Sequence, residues 1–369
     1  MNLLKKKEVG KYPVYENKRD SFIRRFYYKH IDSQGELGSQ ANAFEKGIIK
    51  RLYDNPKVVK VLLKVAKRVG NNTLLKVLYK PDISEMFINN PEKVSKILLK
   101  IAKNAGEHAI KAIDLLGDDV RSPIFVKNPR VFVEIAKIAR KRTPLAFEAL
   151  STKEIANICS YPSSNLELFL EFLKVVTKPG IFGESRRKEE NREYLLKVIS
   201  SEGAARLYEN YLWALLEIAK VSARRIYSGD SILGGINYED VSQLVERFPW
   251  AVVEIEKVIK KKIYKQIYWY IIYGKCGSKM RSIFEKHPKP FVEILKATGG
   301  RLEGVRALDL LYEKPLAPLF DEYPWAFVEI ARIARKKTEV AFRYLASESL
   351  SDSERVDLIE NPNELMRRV

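Results

Sequence analysis

The stretch Asn128-Pro-Arg-Val-Phe-Val-Glu-Ile-Ala-Lys-Ile-Ala-Arg-Lys-Arg-Thr143 returns later in the same chain as Tyr323-Pro-Trp-Ala-Phe-Val-Glu-Ile-Ala-Arg-Ile-Ala-Arg-Lys-Lys-Thr338. Such agreement marks an internal repeat rather than chance. The phrase recurs more loosely after Pro56, Pro91, Pro162, Pro249 and Pro288, restarts at Pro362, and appears once with Tyr211 in the place of proline. The anchors therefore fall at 56, 91, 129, 162, 211, 249, 288, 324 and 362, separated by 35, 38, 33, 49, 38, 39, 36 and 38 residues. The repeating unit is close to 38 residues long, and the single long gap marks an insertion.

Each unit reads the same way. Proline suits the first helical turn, where its missing N–H would have no partner in any case, and Asn55, Asn90, Asn128 and Asn361 stand where an N-cap is needed. Apolar residues then follow at helical spacing, as in Phe132, Ile135, Ile138 and Ala139. Breaks at Gly70-Asn71-Asn72, Thr143-Pro144 and Gly299-Gly300 end this long helix and open a second, shorter one such as Leu145–Leu150. A third phrase precedes the next anchor: Asp82–Phe87, Val120–Phe125, Lys279–Phe284 and Pro315–Phe320. Its closing apolar pair is expected to plug the gap between neighbouring units.

No unit of this size can bury its apolar face alone, so about eight of them must share a continuous core. Hairpin-bounded strand alternation is essentially missing, and the fold class expected is all-α, an α-solenoid. In unit length and helical period over roughly residues 43–369, the chain resembles HEAT and armadillo-like repeat proteins. Two segments break the pattern. Residues 1–42 interleave Lys5, Lys6, Lys7, Lys11, Lys18, Arg19, Arg24, Arg25 and Lys29 with Tyr12, Tyr15, Phe22, Phe26, Tyr27 and Tyr28, which reads as a basic aromatic arm or cap. Residues 178–192, with their glycines and dense charge, read as an inserted loop that accounts for the 49-residue gap.

The 369 residues are 46% apolar, enough for a real core, and 66 Lys+Arg against 47 Asp+Glu give a formal charge of +19. A polyanion is the partner class this favours: nucleic acid, a ribosomal surface or an anionic membrane surface. The only cysteines, Cys159 and Cys276, are far apart, which argues against a disulfide framework or a cysteine zinc site and points to a cytoplasmic setting. No apolar run suits a membrane span or a signal peptide. With only four Gln beside abundant Lys, Arg and Glu, the composition is of the kind thermophile chains favour.

Aligning the units places a base at nearly one register in every long helix: Lys64, Lys100, Lys137, Lys174, Lys220, Lys257, Lys296 and Arg332. Three residues on comes a second row, Lys67, Lys103, Arg140, Lys260 and Arg335, with Arg224 one position further along in the Tyr211 unit. Stacking would turn these into a stripe able to follow a phosphate backbone. The competing reading is local: Glu134, Glu171, Glu217, Glu254, Glu293 and Glu329 each stand three residues before a first-row base, the spacing of ordinary helix ion pairs. The segment 260–279 is the densest mixture of bases and aromatics; Tyr264, Ile267, Tyr268 and Ile271 keep helical spacing and read as core, with nucleobase stacking as the alternative. Trp250 and Trp325, one residue after their anchor prolines, are expected to pack between repeats.

Catalytic signatures are weak. His30, His108 and His287 fall on separate units without metal-binding spacing, His287 replacing a cap Asn before Pro288. The glycine-containing stretches 180–185 and 229–235 lack the Gly-Lys-Ser/Thr ending of a phosphate-binding loop. The expected function is therefore non-enzymatic, without cofactor or metal: binding of RNA or a ribonucleoprotein, such as a ribosome, or else of DNA, through the basic stripe. An acidic protein partner gripped by a repeat scaffold is the second reading. Some HEAT-like proteins are DNA glycosylases that use Trp and Asp on a concave basic face, so the resemblance implies a third reading, with Asp114 or Asp309 beside a Trp.

Overall fold

A computed structural model describes residues 7–9, 12–14, 55–151, 153–160, 164–177, 196, 198, 201–222, 232–236, 238–259 and 278–369. The inserted segment 178–192, most of the N-terminal arm and nearly all of the aromatic stretch 260–279 lie outside them. The described chain is helical apart from one antiparallel hairpin, β1 (Lys7–Val9) with β2 (Tyr12–Val14), paired Lys7 to Val14 and Val9 to Tyr12. The sequence reading missed this hairpin. The two residues between its strands, Gly10-Lys11, have the Gly-X composition that short hairpin loops favour.

The chain forms two compact units, residues 1–177 and 178–369. In the first, the long repeat-opening helices are α1 (Pro56–Val69), α2 (Pro91–Ala105), α3 (Pro129–Ala139) and α4 (Ser164–Thr177). In the second they are α5 (Leu212–Ser222), α6 (Pro249–Val258), α7 (Pro288–Ala297), α8 (Pro324–Ala334) and α9 (Pro362–Arg368). Within each unit every long helix packs on the next: α1 on α2, α2 on α3 and α3 on α4, then α5 on α6 and so on to α9. The shorter helices follow suit, Asn71–Leu78 packing on Ala109–Asp114 and Leu302–Leu310 on Thr338–Leu345.

The helix starts use their caps differently from the sequence expectation. Of the four cap asparagines, only Asn55 caps with its side chain, accepting from Val58 N–H at 3.3 Å. Asn90, Asn128 and Asn361 make no side-chain cap bond. Their backbone carbonyls serve instead, Asn90 O accepting from Val94 N–H and Asn128 O from Val131 N–H, each at 3.1 Å. With φ near −140° and ψ near 65°, Asn90 and Asn128 sit away from the β region of an ordinary N-cap. His287 likewise caps nothing through its ring, which lies 3.0 Å from Asp321.

The third phrase of each unit does close the core. Phe87, Phe125, Phe284 and Phe320 are fully buried. Phe125 meets Phe132 edge-on at 5.4 Å, and Phe132 meets Phe147 at 5.0 Å; Phe320, Phe327 and Phe342 repeat the arrangement at 5.4 and 5.3 Å. Edge-to-face contacts of this kind add about 0.5–1.5 kcal/mol beyond area burial. Two buried arginines pin the short helices: Arg121 Nε donates to Phe147 O at 2.7 Å, and Arg355 Nε to Leu345 O at 3.0 Å.

The joints after the long helices require unusual backbone. Gly106 has φ 61° and ψ −123°, a conformation that glycine adopts without a Cβ penalty. Arg140 and Arg335 occupy nearly the same conformation, at φ 50° with ψ −118° and −105°. Among the described residues they are the only non-glycines with positive φ, and such placements cost about 1–3 kcal/mol each. Thr143 and Thr338 hydroxyls donate back to the Arg140 and Arg335 carbonyls and brace the two joints.

Candidate nucleic-acid interface

Along α1, Lys57, Lys60, Lys64 and Lys67 follow at spacings of three, four and three residues, and α2 repeats this with Lys93, Lys96, Lys100 and Lys103. At 3.6 residues per turn these spacings hold each set on one face. Both faces are exposed, opposite the buried Val58, Leu62, Val65 and Val69 of α1 and Val94, Leu98, Ile101 and Ala105 of α2. From the first to the last lysine of a ladder is about 15 Å along the axis, and packed helix axes lie about 8–10 Å apart. Eight ammonium groups thus share the outer surface of two adjoining helices.

The only acid paired with them among the described residues is Glu92, whose carboxylate accepts from Lys96 Nζ at 3.2 Å. Hydrogen bonds from Lys96 and then Asn55 hold the Glu92 carboxyl below its usual range. The reason for this scarcity lies three residues back: Lys64 and Lys100 follow Val61 and Ile97 where their counterparts follow Glu. The sequence reading included Lys64, Lys67, Lys100 and Lys103 but missed Lys57, Lys60, Lys93 and Lys96. It compared one register across units instead of following the spacing along each helix.

Elsewhere the stripe is differently dressed. Lys137, Lys174 and Lys220 bind Glu134, Glu171 and Glu217, each at 2.6 Å. Lys257 binds Glu254 at 2.9 Å, Lys296 binds Glu293 at 3.1 Å, and Arg332 lies 3.5 Å from Glu329. In the second unit the pairing also crosses between repeats, Lys296 to Glu254 at 2.9 Å and Arg332 to Glu293 at 3.4 Å. Lys257 and then Lys296 hold the Glu254 carboxyl below its usual range. Exposed pairs of this type add about 0–1 kcal/mol each to stability. Their consequence for recognition is greater, because opposite charges a few ångströms apart largely cancel beyond a Debye length of about 8–10 Å. All eight first-row bases are exposed, yet only Lys64 and Lys100 stand without an ion pair among the described residues. In the second row, Lys67, Lys103, Arg140 and Arg335 are exposed, while Arg224 and Lys260 lie outside the described residues.

The tryptophans are more exposed than the sequence reading expects: Trp250 and Trp325 are 37% and 53% exposed, and Trp213, likewise seven residues before its base on α5, is 41% exposed. Trp213, Trp250 and Trp325 precede Lys220, Lys257 and Arg332 by seven residues, two helical turns, which returns each indole to the face of its base. Their apolar character suggested the core, whereas the spacing from the exposed base had already placed them outside.

The carboxylates named for the enzymatic reading differ from each other. Asp114 is bound by Lys76 Nζ at 2.7 Å. Asp309 is half-buried with Oδ1 lacking a hydrogen-bond partner, and burial pushes its carboxyl up to about 6. Burial likewise pushes the Cys159 thiol up to about 12. Among the described residues no group of three or more His, Cys, Asp or Glu could hold a metal ion, and no helix is long and apolar enough to cross a membrane. In comparisons with known proteins, no family model and no curated protein matches this chain.

Proposed function

We propose that the chain is a helical-repeat protein, an α-solenoid of HEAT-like or armadillo-like units, that binds a nucleic acid or ribonucleoprotein surface through the lysine faces of α1 and α2. The observation that carries the reading is the pair of ladders Lys57, Lys60, Lys64, Lys67 and Lys93, Lys96, Lys100, Lys103, which among the described residues meet a single paired carboxylate. Uncompensated ammonium groups at such spacing displace condensed counterions from a phosphate chain, and the entropy of that release drives association. Such a surface reads backbone shape and charge rather than base sequence, which favours RNA or a ribosomal surface over a defined DNA site. No step of this function calls for a catalytic group or cofactor, and the cytoplasm is the setting it fits.

The test is fluorescence-anisotropy binding to single-stranded RNA, duplex RNA and duplex DNA over roughly 50–300 mM salt, with protein stripped of nucleic acid. A steep fall of affinity with salt, lost when Lys57, Lys60, Lys64 and Lys67 become Gln, is the expected result. Absence of binding at moderate salt overturns the reading. The exposed row Trp213, Trp250 and Trp325 supports a second reading, a protein scaffold, because exposed indoles are the anchors that protein interfaces favour. That reading expects partner capture that survives the lysine replacements and fails in Trp213→Ser, Trp250→Ser and Trp325→Ser.

A further inference from the structure

Two pairs of arginines in this molecule stand in contrast. Arg121 and Arg355 are buried and spend their guanidinium groups on backbone carbonyls of neighbouring short helices. Arg140 and Arg335 are exposed, and neither forms an ion pair or side-chain hydrogen bond among the described residues. Yet these two occupy the backbone conformation of Gly106, at φ 50° against 61°. Glycine would relieve the strain at both joints without loss of any contact described there. The helix dipole does not explain the choice, since Lys137 and Arg332 already stand in the last turns of α3 and α8. A strained residue persists where its side chain has a use that the joint itself does not supply.

Position identifies that use. The turn Arg140–Arg142 packs against the turn Gly106–His108 and against α2, so Arg140 stands beside the end of α2, whose last turn carries Lys103. In the second unit Arg335 opens an exposed triplet with Lys336 and Lys337, none of them ion-paired among the described residues. The planar guanidinium fork matches two oxygens of one phosphate, a geometry an ammonium cannot reproduce.

We propose that Arg140 and Arg335 are phosphodiester-binding residues, one in each unit, kept as arginine at joints whose backbone favours glycine. This inference rests on the nucleic-acid reading above. It assigns a site in the second unit, where the paired stripe offers no uncompensated first-row base.

The test compares the full-length native chain with Arg140→Gly, Arg335→Gly, Arg140→Ala and Arg335→Ala, using thermal unfolding and anisotropy with a labelled single-stranded RNA. The Gly variants are expected to unfold at higher temperature than the native chain while binding several-fold more weakly. The Ala variants keep the strain, so they should bind as weakly without the thermal gain. Each lost contact should make the dependence of log affinity on log salt shallower by about 0.7. A lower unfolding temperature in the Gly variants would show that the side chains hold the joints together and would overturn the proposal. Unchanged affinity and salt slope in all four variants, with the native chain binding well, would overturn it while leaving the lysine-face reading intact. A native chain that binds no RNA would remove both.

Discussion

Helices α1 and α2 and helices α6, α7 and α8 carry bases at the same register, yet they present opposite electrostatic surfaces. On α1 and α2 the residues three before the base are Val61 and Ile97, and the face is a run of lysines with one ion-paired acid among the described residues. On α6, α7 and α8 those residues are Glu254, Glu293 and Glu329, and the bases are held in a ladder that also crosses from one repeat to the next. Seven residues before the base, α1 and α2 place Lys57 and Lys93, while α6 and α8 place Trp250 and Trp325. A shared core period thus constrains the inner face of a repeat and leaves the outer face free to diverge. A periodic base says nothing about function until its acid neighbours are counted.

If the regions differ only on their outer faces, their cores should respond alike. Phe132→Ala and Phe327→Ala, which remove equivalent rings from the two units, should each cost about 3–5 kcal/mol in urea unfolding of the affected unit. A clear inequality would mean that the repeats are not built on one packing scheme. On the surface the prediction reverses. Replacing Lys57, Lys60, Lys64 and Lys67 by Gln should weaken polynucleotide binding roughly tenfold to a hundredfold, whereas the same change at Lys137, Lys174, Lys220 and Lys257 should alter it by less than about threefold. Equal losses from both sets would erase the distinction between free and paired bases.

The comparison can also be sharpened by making the second region resemble the first. Glu254→Gln with Glu293→Gln releases Lys296 and Arg332 from their cross-repeat partners. Polynucleotide affinity should rise about two- to fivefold at low salt, at a stability cost of about 1 kcal/mol for the exposed pairs lost. Asp309 supplies the smallest expected effect, peculiar to the second unit. Burial raises its folded-state carboxyl to about 6 against 3.8, so ionising it disfavours the fold, and stability falls as pH rises between those values. Asp309→Asn should therefore stabilise the chain by about 1 kcal/mol at neutral pH, after allowance for the solvent that reaches the half-buried group. That gain should vanish below pH 3.8, as thermal unfolding across pH would record.

The helices were legible because proline anchors and a 3.6-residue apolar period are local signals that tertiary packing reinforced. The Phe125 and Phe320 plugs were legible for the same reason. The ion pairs within α3 to α8 could also be read, since Glu at i−3 needs nothing but the helix. What required the structure was everything that depends on neighbours: the Glu254–Lys296 and Glu293–Arg332 links depend on how successive repeats are offset. Asn90 and Asn128 were misjudged because residue type suggests a side-chain cap, whereas at these starts the backbone carbonyl serves instead. The strained joints at Arg140 and Arg335 left a trace in the glycines of positive φ that follow other long helices, Gly70, Gly106, Gly299 and Gly300. Composition hid the lysine ladders of α1 and α2, since a chain of charge +19 offers many bases and only their spacing singles these out.

The central claim concerns which lysines a polyanion covers, and amine footprinting measures that directly. The full chain, with and without single-stranded RNA, would be treated briefly with an acetylating reagent and each lysine followed by mass spectrometry. The account predicts strong protection of Lys57, Lys60, Lys64, Lys67, Lys93, Lys96, Lys100 and Lys103, with Lys174, Lys220 and Lys257 labelled as in the free chain. Uniform protection along the whole stripe, or protection confined to the second unit, would contradict it.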